Sequence, residues 1–313
     1  MEKTHSAWFY KLLLIIATIL WGLSFVVVKE AMDSVPPAWL MGMRFIGTAL
    51  ILVVVFRKKF FRNIDKSHLL AGALLGVASF LGFWIQAVGL TDTTPGKNAF
   101  LTATYCVMVP FLYWIIAHRK PTVYNMVAAV LCIAGVGLVA LKGDGFTMQW
   151  GDAMTLLSAV FFAIHIVLVA VLASRHEIMT ITIVQIGVSG VLGIIVGLLT
   201  EPIPQASAFT LDFFMQLAYV IVFASCLAMV FQNIGQAHVP PAQASLLLSL
   251  ESVFGVLFSV ILFGEEVTVQ LLLGFAMIFG AIVISEVFPL PSKKNAAPED
   301  GVEGAEGSTA DES

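Results

Sequence analysis

Long apolar runs alternate with short polar connections along almost the whole chain. A membrane span needs about 20 mostly apolar residues. Ten runs meet that length, roughly 10–28, 37–56, 69–90, 97–117, 122–141, 152–173, 179–199, 212–235, 241–263 and 267–288. The runs are continuous rather than alternating, so they predict helices and not the strands of a barrel. Within several runs, polar and aromatic residues recur every three or four positions, which gathers them on one side of a helix. Ser79, Phe83, Gln86 and Leu90 share a face in the third run. Ser225, Met229, Gln232 and Gln236 share one in the eighth, with Asn233 beside them. Asn98, Thr102 and Tyr105 align in the fourth, and Thr155, Ser158, Phe162 and His165 in the sixth. Thr182, Gln185 and Ser189 align in the seventh, and Thr18, Trp21 and Phe25 in the first. These faces predict a polar and aromatic cavity near the middle of the membrane.

The pattern is written twice. Residues 91–123 reappear 146 positions later as residues 237–269, so that Thr94-Pro95-Gly96 falls on Pro240-Pro241-Ala242. The same shift sets Ala78-Ser79 on Ala224-Ser225, Gln86 on Gln232 and Gly89 on Gly235. With a shift of 141, Trp21-Gly22 meets Phe162-Ala163 and Arg44 meets Gln185. Two units of five spans follow, residues 1–142 and 143–288. An odd number of spans turns the second unit over, so the copies are expected to be inverted, as in many secondary transporters. Residues 289–313 are rich in Pro, Gly, Ala, Ser and acids and are expected to form a disordered tail.

Composition agrees with a membrane protein. The 313 residues are 59% hydrophobic and 12% charged, with mean hydropathy +0.96, whereas soluble domains carry about 25% charged residues. The charges fix an orientation. With the N-terminus inside, twelve Lys and Arg face inwards, among them Arg57, Lys58, Lys59, Arg62, Lys66, Arg119 and Arg175. Three, Lys29, Lys97 and Lys142, face outwards, alongside Asp33, Asp92, Asp144, Glu201, Glu265 and Glu266. Both termini are therefore expected in the cytoplasm. The first run is followed by Lys29-Glu30 rather than by a cleavage site, so it reads as a retained span. Cys106, Cys132 and Cys226 sit in apolar runs with no metal or redox spacing and read as packing residues. No cofactor, metal or nucleic-acid partner is expected.

Ionisable groups at membrane depth are costly and usually face a cavity or a partner. Arg44 in the second run, His165 in the sixth and Glu251 in the ninth are such groups. Arg44 could attract a carboxylate, whether a substrate's or that of Glu251, and Glu251 could bind an amine or take a coupling proton. A structural ion pair, a neutral packing histidine and glutamines that glue helices together are the bland alternatives. The candidate substrate-binding set is Trp21, Arg44, Phe83, Gln86, Asn98, Tyr105, His165, Gln232, Asn233 and Glu251. Gly72-x-x-x-Gly76 and Gly193-x-x-x-Gly197 predict close helix approaches, and Pro110 predicts a bend in the fourth span. No metalloprotease, nucleophile-elbow or Gly-x-Gly-Asp motif lies in the spans, which argues against a membrane-embedded enzyme. A sensor or scaffold that binds without transporting is a further alternative, as is a channel, although nothing in the sequence resembles a selectivity filter.

Several short pieces, in order, resemble the drug/metabolite transporter superfamily, in particular its EamA-like permeases. They are Leu20-Trp21-Gly22-Leu23-Ser24-Phe25, Arg44-Phe45, Gln86-Ala87-Val88-Gly89-Leu90, Asn98-Ala99-Phe100-Leu101-Thr102, Gly151-Asp152, Leu250-Glu251-Ser252-Val253-Phe254 and Gly264-Glu265. The resemblance covers about residues 10–288. It departs from the family at Ser252, where proline is usual, and at His118-Arg119, where Gly-Glu is frequent. It implies an all-helical permease of the bacterial inner membrane, often an exporter of amino acids or related metabolites, working with a small-molecule substrate in a lipid bilayer. It fixes neither the substrate nor the oligomeric state.

Overall fold

The computed structural model describes residues 6–117, 120–140, 148–239, 241–266 and 268–287. The expectations for Arg119, Lys142, Asp144 and the 289–313 tail lie outside the described residues. All regular structure among the described residues is helical. The α-helices are α1 (Ala7–Ala31), α2 (Pro37–Asn63), α3 (Lys66–Thr91), α4 (Pro95–Ala103), α5 (Tyr105–Ala117) and α6 (Val123–Ala140). They continue with α7 (Trp150–Leu172), α8 (Ile178–Thr200), α9 (Leu211–Tyr219), α10 (Ala228–His238), α11 (Pro241–Phe258) and α12 (Val269–Val287). Among the described residues, seven helical stretches are long and apolar enough to cross a membrane, with α4–α5 and α9–α10 each counted as one. Three shorter apolar stretches, Val123–Leu138, Leu247–Phe263 and Val269–Ile284, complete the ten runs seen in the sequence.

Among the described residues α2 is kinked at Phe56, and the fourth and eighth spans are interrupted. The fourth breaks at Thr104, not at Pro110, which lies inside α5. The Thr104 amide and hydroxyl both donate to the Leu101 carbonyl, at 3.3 and 2.7 Å, and the Val107 amide donates to the Thr104 carbonyl at 3.1 Å. These bonds reach back three residues instead of four and tighten the chain one and a half turns before the proline. The eighth span passes through a π-helical stretch, Val220–Leu227, between α9 and α10. The ninth runs through Ser252 as continuous α-helix and ends in a second π turn, Ser259–Phe263, closed by Gly264 at φ 71°. That left-handed conformation suits glycine.

The helices fall into two packed groups and a side pair. Helices α2, α3, α7 and α8 pack on one another, as do α1, α4, α10 and α11, while α6 lies against α12. The small-residue motifs act as the sequence predicts. A Cβ on Gly76 would come within 2.7 Å of the Gln185 carbonyl, and one on Gly193 within 2.5 Å of the Gly42 amide, so α8 lies backbone to backbone against α3 and α2.

The bundle has a basic end, with Arg57, Lys58, Lys59, Arg62, Lys66 and Arg175, and an acidic end, with Asp33, Asp92, Glu201, Glu265 and Glu266. At the acidic end two glutamates cap helices of other spans. Glu201 accepts from the Ala38 amide at 2.9 Å and starts α2. Glu265 accepts from the Thr94 hydroxyl and from the Gly96 amide at 2.9 Å and starts α4. Lys97, expected among the loop charges, instead lies buried in the first turn of α4, and its ammonium is 2.6 Å from the buried Asp152 carboxylate.

Candidate functional site

The central cavity lies where the two helix groups meet, and eight of the ten candidate residues line it: Trp21, Arg44, Phe83, Gln86, Tyr105, His165, Gln232 and Glu251. Each comes from a face already set by helical spacing. Trp21 and Phe83 meet edge-on at 6.4 Å, and Phe83 meets Phe162 edge-on at 4.9 Å.

Arg44 is almost wholly buried, yet among the described residues it pairs with no carboxylate. Its Nε donates to the Ser225 hydroxyl at 2.5 Å and its Nη2 to the Ala224 carbonyl at 3.2 Å. Trp21 Nε1 donates to the same carbonyl at 2.8 Å. The π stretch makes this possible. The Ala228 amide, which would bond the Ala224 carbonyl in an α-helix, bonds the Phe223 carbonyl instead. Ala224 is left with a carbonyl for side chains of α1 and α2. The guanidinium also stands 4.9 Å from the Phe83 ring centre and 5.1 Å from that of Phe45, a favourable cation–π position out of water. An Arg44–Glu251 ion pair, one of the readings of the sequence, is not formed. Dipoles and rings stabilise the cation instead, and Glu251 interacts with the Tyr105 phenol.

Asn98 and Asn233 do not line the cavity. They are fully buried one layer behind it. Asn98 Nδ2 donates to Thr155 Oγ1 at 2.7 Å and bridges α4 to α7, while Gln86 Nε2 donates to Thr102 Oγ1 at 2.9 Å. Asn233 Nδ2 donates to Thr182 Oγ1 at 2.8 Å and to Gln185 Oε1 at 3.1 Å. The Gln185 amide in turn meets His165 Nε2 at 2.9 Å. Helical spacing selects a face but not its depth, which is why these two asparagines looked like lining residues.

Sequence reasoning missed the Lys97–Asp152 pair, although each residue was noted separately. Both sit in the first turn of a helix at the acidic end, and that shared placement was the available signal. Phe162 lies on one of the predicted faces and lines the cavity, although the candidate set does not contain it. The cavity is contracted, at about 40 Å³. A single water needs roughly 10–15 Å³, so the space holds a few waters.

The arrangement defines a class: a multi-pass membrane protein built of two repeats around a polar and aromatic cavity. Comparison with known proteins agrees. The profile of the EamA-like transporter family matches residues 8–141 and again 149–286. The chain belongs to the EamA-like transporter family, which are membrane transporters and not enzymes. An uncharacterized transporter of Archaeoglobus fulgidus is 31% identical over 278 residues, covering 87% of this chain and 84% of that protein. The uncharacterized inner membrane transporter YedA of Escherichia coli is 21% identical over 90% of this chain and 92% of its own. A solved crystal structure superposes with a TM-score of 0.67 over 90% of this chain and 98% of that one, at 15% identity, and so shares the fold.

Proposed function

We propose that the protein is a secondary transporter of the bacterial inner membrane. It moves small amphipathic metabolites, amino acids and related compounds among them, outwards by alternating access of two inverted five-span repeats. The carrying observation is a central cavity in which Arg44 and Glu251, unpaired with each other, stand among neutral amides and aromatic rings. A substrate carboxylate fits the Arg44 guanidinium, which has exchangeable dipolar partners rather than a fixed counter-ion. An amine fits Glu251, or that carboxyl takes a proton and couples transport to the proton gradient. Gln86 and Gln232 supply neutral hydrogen bonds, while Trp21, Phe83 and Phe162 shape the apolar side. Asn98 and Asn233 hold the walls in place. The basic end faces the cytoplasm by the positive-inside rule. Export follows from the resemblance to the family. The contracted cavity is an intermediate from which the helix groups part to admit substrate.

The test is flux of a mixed panel of radiolabelled amino acids and amphipathic cations in proteoliposomes, with and without a pH gradient. At least one compound is expected to cross faster with the gradient. Glu251→Gln is expected to reduce that flux at least tenfold while the protein still folds. Unchanged flux in Glu251→Gln removes this residue from the site, and binding without flux turns the protein into a sensor.

A further inference from the structure

The repeats are alike in sequence but the cavity uses them unequally. From α1 it takes Trp21, Ser24, Phe25 and Val28, and from α7 the counterparts of the first three at the shift of 141, Phe162, His165 and Ile166. From α2 it takes Met41 and Arg44, but not their α8 counterparts Thr182 and Gln185. From α3 it takes Phe83, Gln86, Ala87 and Leu90. From α10 it takes Gln232, the counterpart of Gln86, but not Met229 or Gln236, which answer to Phe83 and Leu90 at the shift of 146. The cavity thus climbs the α3 face towards the acidic end, while the matching α10 face, which descends towards the basic end, is shut.

The shut face is not an apolar seal. Gln236 is 5% exposed, and neither its Nε2 nor its Oε1 has a partner. Asn233 Oδ1, on the same face, is also buried without a partner. A buried polar group left unsatisfied destabilises the state that holds it. Gluing helices together does not explain Gln236, because a glue residue makes its bonds, as Gln185 does. Its counterpart Leu90 serves in the same place without any polar group.

We infer that the α10 face bearing Gln232 and Gln236 is the wall of a second cavity, open at the basic end in an alternate conformation. There the Gln236 amide bonds water and the neutral hydrogen-bonding groups of the substrate, namely hydroxyl, carbonyl or amide. Thr182 of α8 faces the same route and joins it when Asn233 swings away from its hydroxyl. The orphaned amide is then satisfied in one state and unsatisfied in the other, which biases the equilibrium towards opening. This inference rests on the alternating-access reading and adds to it the residues of the second route.

The experiment uses full-length protein with Cys106, Cys132 and Cys226 replaced by alanine, in right-side-out and inside-out membrane vesicles. Single cysteines are introduced as Leu90→Cys, Gln236→Cys and Thr182→Cys, with Thr48→Cys as a buried control. A membrane-impermeant maleimide is the probe. Leu90→Cys is expected to react from one face only. Gln236→Cys and Thr182→Cys are expected to react from the opposite face, at least tenfold faster than Thr48→Cys. If Leu90→Cys reacts while Gln236→Cys and Thr182→Cys both stay as inert as the control, the second cavity does not exist and the first still stands. Reaction of Gln236→Cys from the same face as Leu90→Cys also overturns the inference. Reaction at Gln236→Cys with none at Leu90→Cys supports the second cavity and removes two-sided access instead.

Discussion

The two ends of the bundle are tied in different ways. At the acidic end two charged ties cross between the helix groups, while the Glu201, Glu265 and Asp92 carboxylates join helices of one group. Lys97 of α4 meets Asp152 of α7, and the Lys29 ammonium of α1 donates to the Leu90 carbonyl at the end of α3, at 2.6 Å. The Asp92 carboxylate accepts from the Gly151 amide at 3.1 Å beside them. Near the basic end, charged and ring contacts stay within a group, and the ties across the groups are the neutral bonds of Asn233 of α10 to Thr182 and Gln185 of α8. Lys59 of α2 meets Glu177 before α8 at 2.7 Å, and the Glu177 amide donates to His68 of α3 at 3.2 Å. Tyr10 of α1 stacks on His238 of α10, with ring centres 4.0 Å apart. The contrast is one of kind: under the proposed alternating access, parting the groups at the acidic end breaks a buried ion pair, while parting them at the basic end breaks the neutral Asn233 bonds and wets the Gln236 amide.

The largest effect expected from this contrast is at Asp152. Its side chain is fully buried and that of Lys97 is 9% exposed. Removing one partner of a buried pair leaves an uncompensated charge and costs about 3–5 kcal/mol. Asp152→Ala is therefore expected to lower the thermal midpoint in detergent sharply, and the double variant Lys97→Met with Asp152→Ala is expected to recover most of the loss. Equal losses in the single and double variants would show that the pair is not coupled.

The smallest effect is at the basic end. Lys59 and Glu177 are 39% and 22% exposed, and exposed pairs contribute about 0–1 kcal/mol. Burial pulls the Glu177 carboxyl upwards, but bonds from Lys59, Thr180 and the Met179 and Thr180 amides outweigh it, so its pKa lies below the ordinary value. A carboxyl lowered in the folded state stabilises at pH above its unfolded value of about 4.3 and loses that contribution as pH falls through the lowered value. Lys59→Ala is expected to be close to neutral at pH 7 and to shrink the acid-side loss. A drop at pH 7 as large as that of Asp152→Ala would erase the distinction between the two ends.

Much of this was legible in the sequence, for stated reasons. Span length is set by the bilayer, so runs such as 179–199 and 212–235 fall within a few residues of α8 (Ile178–Thr200) and the α9–α10 stretch (211–238). The three-to-four-residue spacing found the faces of Phe83, Gln86 and Gln232 because every side chain on a helix obeys it. The Thr104 break and the π stretch were hidden, since both depend on which carbonyl an amide selects and leave the apolar pattern intact. The partner of Arg44 was hidden for the same reason. It is a backbone carbonyl freed by the π stretch rather than a second charge that a reader of the sequence can pair with it. Lys97 was misplaced because a lysine after a proline-glycine turn reads as a loop residue until its partner is seen across the bundle.

The most direct test of the two-ended account is a pair of spin-label distance measurements in one lipid preparation. One pair spans the acidic end (Thr200→Cys with Glu266→Cys), and the other spans the basic end (Ala7→Cys with Lys66→Cys). Breaking the buried ion pair with Asp152→Asn is expected to lengthen the first distance and shorten the second. Both distances lengthening together, or neither changing, would contradict alternate opening of the two ends.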